Sequence, residues 1–528
     1  MGVDISPATA VAGNAQVFPD MVAVRYEGGD LTYPELEERA ARVAAVLAAG
    51  GVDGVGVGAG DRVAYVGLNS ATFLVTMLAT FRLGAIFVPV NFRLAGPELR
   101  GVLERSGAIA VVCEDGHRPA VDAVRDSAAL GRFLLVDDDP AAPVAPDLAG
   151  SVAGGPWEPW AALLAAAAPA PDPCARSFED PAVLMFTSGT TGLPKGVTLT
   201  HGNLWWNSMN VDSRLDTRRG DVTYASAPLF HIGALNSFAV RLLSRGGTVV
   251  VRRSFDPEQL LDDVERFRVS SMFAVPAMLQ AVSRVPGALE RDLSSLRSVV
   301  VAGAPVPPAL IRQFAAAGVT LQQAWGLSET APFATHLPAE RTLDKLGSAG
   351  IPMPYTEVRV VDARSGEACP AGLTGEVVVR GPNVTPGYWQ SPEATAAAFD
   401  DAGWFHSGDI GYLDEDGYLF IVDRLKDMII SGGENVYPAE VERVLAEMPG
   451  VSDVAVVGSA DPDWGESVVA VVALQPGVEI TLDDVRAYAA SGLARYKLPR
   501  RLQVVEAVPR NASGKLDKVS IRGLVEDA

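Results

Sequence analysis

Apolar positions recur along this chain with two periods. From Leu31 to Leu47 (LTYPELEERAARVAAVL) they return every three or four residues and acidic residues crowd the first turn, which predicts an amphipathic helix. The apolar run Arg62 to Leu68 predicts a buried strand, a second helix follows from about Ser70 to Leu83, and IFVPV, Ile86 to Val90, predicts another strand. Strand, helix and strand in that order predict a parallel α/β unit. The rhythm returns at Ala108 to Cys113, Phe133 to Val136, Gly247 to Val251 and Ser298 to Gly303. The expected fold class is therefore α/β, with a large N-terminal domain of layered sheets covered by helices. Asp137 to Arg176 is rich in Ala, Pro and Gly and predicts a surface connection with a short helix around Trp160 to Ala168.

Beyond Gly350 the pattern turns to short strands with an Asp416-Gly417 turn, which predicts antiparallel hairpins in a small β-barrel-like part. After Arg424 it changes again: AEVERVLAEM and LDDVRAYAASGLA read as helices, VSDVAVVGS and SVVAVVAL as strands. That is a small α+β unit, so the chain is expected to divide near Lys426, into 1–425 and 426–528.

Composition narrows the function. At 528 residues with 48% hydrophobic and 20% charged positions, the chain reads as an ordinary folded protein of more than one domain. Its formal net charge of -21 repels polyphosphate backbones, so no nucleic-acid partner is expected. The same field disfavours anionic lipid, although a local basic patch would override it, and peripheral membrane contact stays open. Cys113, Cys174 and Cys369 are scattered, which argues against a disulfide framework or a zinc site. No secretory signal and no run of about 20 apolar residues is visible, so a cytoplasmic protein without a membrane span is expected.

The strongest local signal runs from Leu184 to Gly196, a strand leading into Thr187-Ser188-Gly189-Thr190-Thr191-Gly192-Leu193-Pro194-Lys195. Glycines let backbone N–H groups approach phosphate, hydroxyls add donors, and Lys195 supplies a point charge. Pro194 and Gly196 flank the lysine, so this is not a Walker A loop. The full string resembles the phosphate loop of the adenylate-forming superfamily, which includes acyl-CoA synthetases, peptide-synthetase adenylation domains and luciferases.

The resemblance extends from about Leu31 to Lys518, with later motifs in the family's order. Gln323-Ala324-Trp325-Gly326-Leu327-Ser328-Glu329-Thr330 is similar to the adenine and magnesium segment. The likeness implies that Trp325 stacks on the purine, Ser328 donates to the α-phosphate, and Glu329, with Thr190, holds Mg²⁺, a hard cation suited to oxygen ligands. Ala324, Trp325 and Ser328 stand where the family usually has Gly, Tyr and Thr. Gly303-Ala304-Pro305 resembles the tight backbone beside nucleotide and acyl group, and is equally a plain strand-to-helix turn. Asp409, in Gly403-Trp404-Phe405-His406-Ser407-Gly408-Asp409, resembles the ribose clamp; Arg424 would reach ribose or phosphate, and Lys426 would be the hinge. Gly432 and Gly433 resemble the loop lining the pantetheine tunnel, and Lys515, after Asn511-Ala512-Ser513-Gly514, the cation that bridges the acid and the α-phosphate. His231, in an apolar setting, matches a positioning or gating residue where acyl pocket and CoA tunnel meet.

These likenesses imply an ATP-dependent acid–thiol ligase that forms an acyl-adenylate and then a thioester with coenzyme A, using Lys195, Glu329, Lys515 and His231, with a mobile C-terminal lid. The acyl pocket implied by the resemblance includes Gly233, Ser237, Val301, Gly303, Gly326 and His336. The small Gly233 suggests room for a medium- or long-chain fatty acid, with an aryl-propenoic acid as the alternative. A stand-alone adenylation enzyme loading a carrier protein is a rival reading, as is a nucleotide-binding relic without activity. Monomer and homodimer are both compatible with the sequence.

Overall fold

The structure, a computed structural model, describes residues 4–27, 29–50, 54, 56–127, 129–136, 156–170, 172–187, 194–424, 427–431, 434–461, 464–490, 492–493, 495–510 and 516–526. Backbone packing divides the chain into two units: Met1–Glu357 with Val379–Phe405, and Val358–Val378 with His406–Ala528. The boundary expected near Lys426 falls outside the described residues.

The first unit holds two sheets. The nine-stranded sheet has the order Ile351–Pro352, Thr335–His336, Leu321–Trp325, Ser298–Val301, Ser271–Ala274, Val222–Ala225, Thr248–Val251, Val22–Arg25, Leu31–Thr32, and its six strands from Leu321–Trp325 to Val22–Arg25 run parallel. The eight-stranded sheet has the order Gly387–Tyr388, Lys195–Thr200, Pro181–Thr187, Ile86–Val90, Arg62–Val66, Ala110–Glu114, Arg132–Val136, Trp157–Pro159, and its last six strands are parallel. Every one of the strands foreseen in these sheets forms. Ten of the seventeen strands described in these two sheets were not foreseen, among them Leu321–Trp325 and Lys195–Thr200 beside the candidate site, and Trp157–Pro159, which lies inside the stretch read as a surface connection and extends the eight-stranded sheet with Trp157 buried.

The helix Ala71–Arg82 is capped by Ser70, whose Oγ accepts from Phe73 N at 3.0 Å, and all twelve of its residues are buried. Such a helix needs apolar cover on every side. It finds that cover between the sheets, in a core joining Tyr65 and Phe87 of one sheet to Val249 and Val300 of the other. Helix Tyr33–Ala48, with its Thr32/Glu35 capping box, packs into the same layer. Because side chains alternate along a strand, Val299 and Val301 face the opposite way, into a second core under the outer helices Pro257–Phe267 and Pro308–Ala316. The outer face of the eight-stranded sheet is covered by Gly96–Ser106.

Two smaller sheets lie mostly in the second unit. The barrel-like part is a four-stranded sheet in the order Glu357–Val361, Gly375–Arg380, Phe405–Leu413, Leu419–Arg424. The other is five-stranded, built around the hairpin Val451–Asp461 and Gly465–Leu474. Val454 and Val456 face helices Pro438–Leu445 and Leu482–Ala489; Ala455 and Val457 face helix Lys518–Glu526. That closing helix and the strand Arg501–Val505 were not foreseen.

Candidate active site

Strands Pro181–Thr187 and Lys195–Thr200 pair antiparallel with Thr187 opposite Lys195, so the two ends of the glycine-and-threonine string are neighbours. Ser188, Gly189, Thr190, Thr191 and Gly192 lie outside the described residues. Lys195 is half-buried, and its Nζ sits 5.2 Å from the centre of the Tyr388 ring, within cation–π range. The Tyr388 hydroxyl donates to Glu329 Oε1 at 2.9 Å. Burial first, and then the Glu329 charge, raise the Tyr388 pKa, which keeps the phenol protonated as the donor. Lys195 and Glu329, 134 positions apart in the chain by their numbers, are thus joined through one tyrosine.

Strands Ser298–Val301 and Leu321–Trp325 run side by side with Val301 opposite Gln323, and the second runs on two residues to Trp325. Ligands in such sheets bind beyond the carboxyl ends of the strands. There Gly303 takes φ +88°, which favours glycine, and Gly303, Ala304 and Pro305 are exposed. A Cβ on Gly326 would lie 1.9 Å from the Pro332 carbonyl oxygen, so only glycine fits. Ser328 is half-buried at the start of the short turn Ser328–Thr330. Glu329 is buried there and its backbone oxygen accepts from Thr385 N at 2.7 Å. Gln323 spends an amide hydrogen on the Ser348 oxygen at 2.9 Å, Ala324 enters the inner core, and Trp325 is 8% exposed.

Among the described residues, no three His, Cys, Asp or Glu side chains gather as they would for an all-protein metal cage. One buried carboxylate held by a phenol fits Mg²⁺ better, because Mg²⁺ is commonly shared between one or two carboxylates and a nucleotide's phosphates.

Around the implied acyl pocket the structure sorts the residues differently from the sequence. Ser237 is buried in the π-helical turn Leu235–Ala239 and its hydroxyl donates to the Gly233 oxygen. Gly233 does not open free room: a Cβ there would meet the Phe273 ring at 2.7 Å. Beside it a cavity of about 10 Å³ is lined by Ala225, Ala234, Phe238 and Phe273, among others. Val301 is no lining residue, since strand alternation turns it into the outer core. His336 is 1% exposed, with Nε2 at 3.1 Å from Gln322 Oε1; burial, then Arg214, lowers its pKa to about 3. It is a neutral core histidine. His231, expected in apolar surroundings, is exposed, its ring against Phe230 at 4.5 Å. Asn69 pins this segment, donating to the Ala227 oxygen at 2.9 Å and accepting from Leu229 N at 2.8 Å.

In the second unit, Asp409 lies directly across the ladder from Arg424, so the two residues assigned to the ribose are strand neighbours. Asp409 is buried and its backbone N–H donates to Ser407 Oγ at 3.0 Å. Glu376 accepts from Gly408 N at 3.1 Å and sits 2.9 Å from His406 Nδ1, holding the same turn. Ser431 pairs with Glu434 across an antiparallel hairpin formed by Ile429–Ser431 and Glu434–Val436. The side chain of Arg424, and Lys426, Gly432, Gly433 and Lys515, lie outside the described residues.

Tyr388, Phe273, Asn69 and Glu376 were missed. A lone aromatic after glycine, a strand phenylalanine, an asparagine just ahead of a helix cap and a strand glutamate carry no local pattern; only their partners mark them.

A sequence model of the family described as AMP-binding enzyme matches residues 11–389, and one for the AMP-binding enzyme C-terminal domain matches residues 440–515. The chain is 43% identical over 508 residues to a feruloyl-CoA synthase of an Amycolatopsis species, spanning 96% of each chain. It is 39% identical over 498 residues to a long-chain fatty acid–CoA ligase of Mycobacterium tuberculosis, spanning 93% of this chain and 92% of the relative. The o-succinylbenzoate–CoA synthetase of Bacillus subtilis, solved with its acyl-adenylate intermediate, matches with a TM-score of 0.84 at 31% identity over 98% of each chain. With both family domains present and relatives aligned end to end, the chain belongs to the AMP-binding enzymes of the adenylate-forming superfamily, in the acyl-CoA synthetase branch.

Proposed function

We propose that this ATP-dependent acyl-CoA synthetase acts on a compact, flat acid with an uncharged tail, a 3-arylpropenoate such as ferulate. The observation that supports this most is the Phe273 ring against Gly233, which fills the place where an alkyl chain was expected to run. The feruloyl-CoA synthase relative, at 43% identity, points the same way.

In the first half-reaction a carboxylate oxygen attacks the α-phosphorus of ATP and the bond to pyrophosphate breaks. In the second, the CoA thiolate attacks the acyl carbon and AMP leaves. Lys195 would neutralise the phosphates, with Thr187 to Gly192 as further donors, and Lys515 would stabilise charge at the reacting centre. Mg²⁺ held by Glu329, and by Thr190, would offset charge on the displaced pyrophosphate. Asp409 and Arg424 would hold the ribose. Residues 426–528 would move as a lid about Lys426, exchanging Lys515 for Gly432 and Gly433 between half-reactions. CoA is the favoured acceptor over a carrier protein, and a cytoplasmic location fits this chemistry. No helix among the described residues is long and apolar enough to cross a membrane.

Thioester formation across ferulate, cinnamate, hexanoate and palmitate tests the substrate reading. Ferulate should give the highest kcat/KM, and Phe273→Ala should raise kcat/KM for hexanoate about tenfold or more, the order expected when an apolar pocket changes size. Palmitate as the best substrate of the native enzyme, with no effect of Phe273→Ala, would sink the proposal.

A further inference from the structure

We infer that Tyr388 is a positioning residue that orients the Glu329 carboxylate for the metal and seats the Lys195 ammonium for the phosphates at the same time. The inference rests on the phosphate-site roles proposed above for those two residues.

Tyr388 lies on the edge strand Gly387–Tyr388, opposite Val197 of strand Lys195–Thr200. Lys195 is therefore its diagonal neighbour on the same face, which explains the 5.2 Å approach of Nζ to the ring centre. The phenol reaches in the other direction, to Glu329 Oε1 at 2.9 Å. Everything around the tyrosine is fixed. Its backbone N–H donates to Thr395 Oγ1 at 2.9 Å, and a Cβ on Gly387 would lie 2.4 Å from Thr395. Thr385 ties the same segment to both sides: its N–H donates to the Glu329 oxygen at 2.7 Å and its hydroxyl to the Thr198 oxygen at 2.5 Å. Asn383 donates to the Thr330 and Phe333 oxygens at 2.8 and 3.0 Å. Segment 383–388 is thus bonded to the Glu329 turn and to the Lys195 strand, and Tyr388 is where the two meet through side chains.

A partner that orients a metal's carboxylate changes metal affinity, whereas a residue that only packs changes stability. The two roles separate in three variants. Mn²⁺ binding is followed by electron paramagnetic resonance with α,β-methylene-ATP present, beside the Mg²⁺ dependence of adenylation. Tyr388→Phe keeps the ring and should weaken Mn²⁺ binding about tenfold, with a matching rise in the Mg²⁺ requirement and unchanged KM for the acid and CoA. Tyr388→Leu should in addition raise KM for ATP, because Lys195 loses its seat. Glu329→Gln should remove the Mn²⁺ affinity altogether. Native Mn²⁺ affinity in Tyr388→Phe, whether or not its melting temperature falls, overturns the positioning role while Glu329→Gln still loses the metal. Native Mn²⁺ affinity in Glu329→Gln instead overturns the metal-site reading itself, and the inference with it.

Discussion

Two buried histidines carry an acid liability. Desolvation, followed by Arg176, lowers the His201 pKa to about 4, and desolvation, followed by Arg214, lowers that of His336 to about 3. Both are neutral in the folded chain. Above about pH 6.5 the unfolded chain is neutral at these sites too, and they cost nothing. As the pH falls below that value the unfolded chain takes up protons that the folded one refuses, so stability is lost progressively toward pH 4 and 3. At pH 5 the loss is about 2 kcal/mol per histidine. His336→Gln should flatten the fall in urea midpoint between pH 7 and pH 5; an unchanged slope would refute the assignment. At this scale the sequence marked chemistry by residue type but could not tell a lining side chain from a core one. His336 and Val301 looked like pocket residues because neighbours in the chain are, yet one is locked on Gln322 and the other faces outward.

At the scale of elements, part-buried polar contacts tie the two sheets of the first unit. Arg253, two residues past strand Thr248–Val251, meets both oxygens of Glu114, the last residue of Ala110–Glu114, at 3.1 and 3.0 Å. Tyr26 and Tyr65 complete the network at 3.1 and 3.3 Å. Removing one partner of this part-buried pair takes away a charge-assisted contact and costs about 1.5–3 kcal/mol. Glu114→Gln should therefore destabilise the large unit by that order in chemical denaturation, and Glu114→Gln with Arg253→Met should cost less than Glu114→Gln alone. Periodicity located the strands that this network joins. The pairing itself links residues 139 apart by their numbers, and nothing local announces it.

For the whole molecule, each unit has apolar cores of its own: the layers between and outside the two large sheets in the first, the two faces of the five-stranded sheet in the second. Separate cores predict separate unfolding. Calorimetry should resolve more than one transition, and Val456→Asp, placed in the second unit's core, should lower only one of them. A cooperative single peak that moves as a whole would contradict this.

The sequence alone determined the α/β class, the strands around which the two large sheets are built, seven of the seventeen described, and the order of motifs that marks an adenylate-forming enzyme. Periodicity and short glycine-, hydroxyl- and lysine-bearing strings are local properties of the chain, so they survive without coordinates. Only the tertiary structure decided which residues touch: the tyrosine that joins Lys195 to Glu329, and the phenylalanine that fills the space at Gly233. Both depend on segments remote in the chain meeting at one spot, and a contact of that kind is set by packing, with no trace in the spacing of the residues that make it.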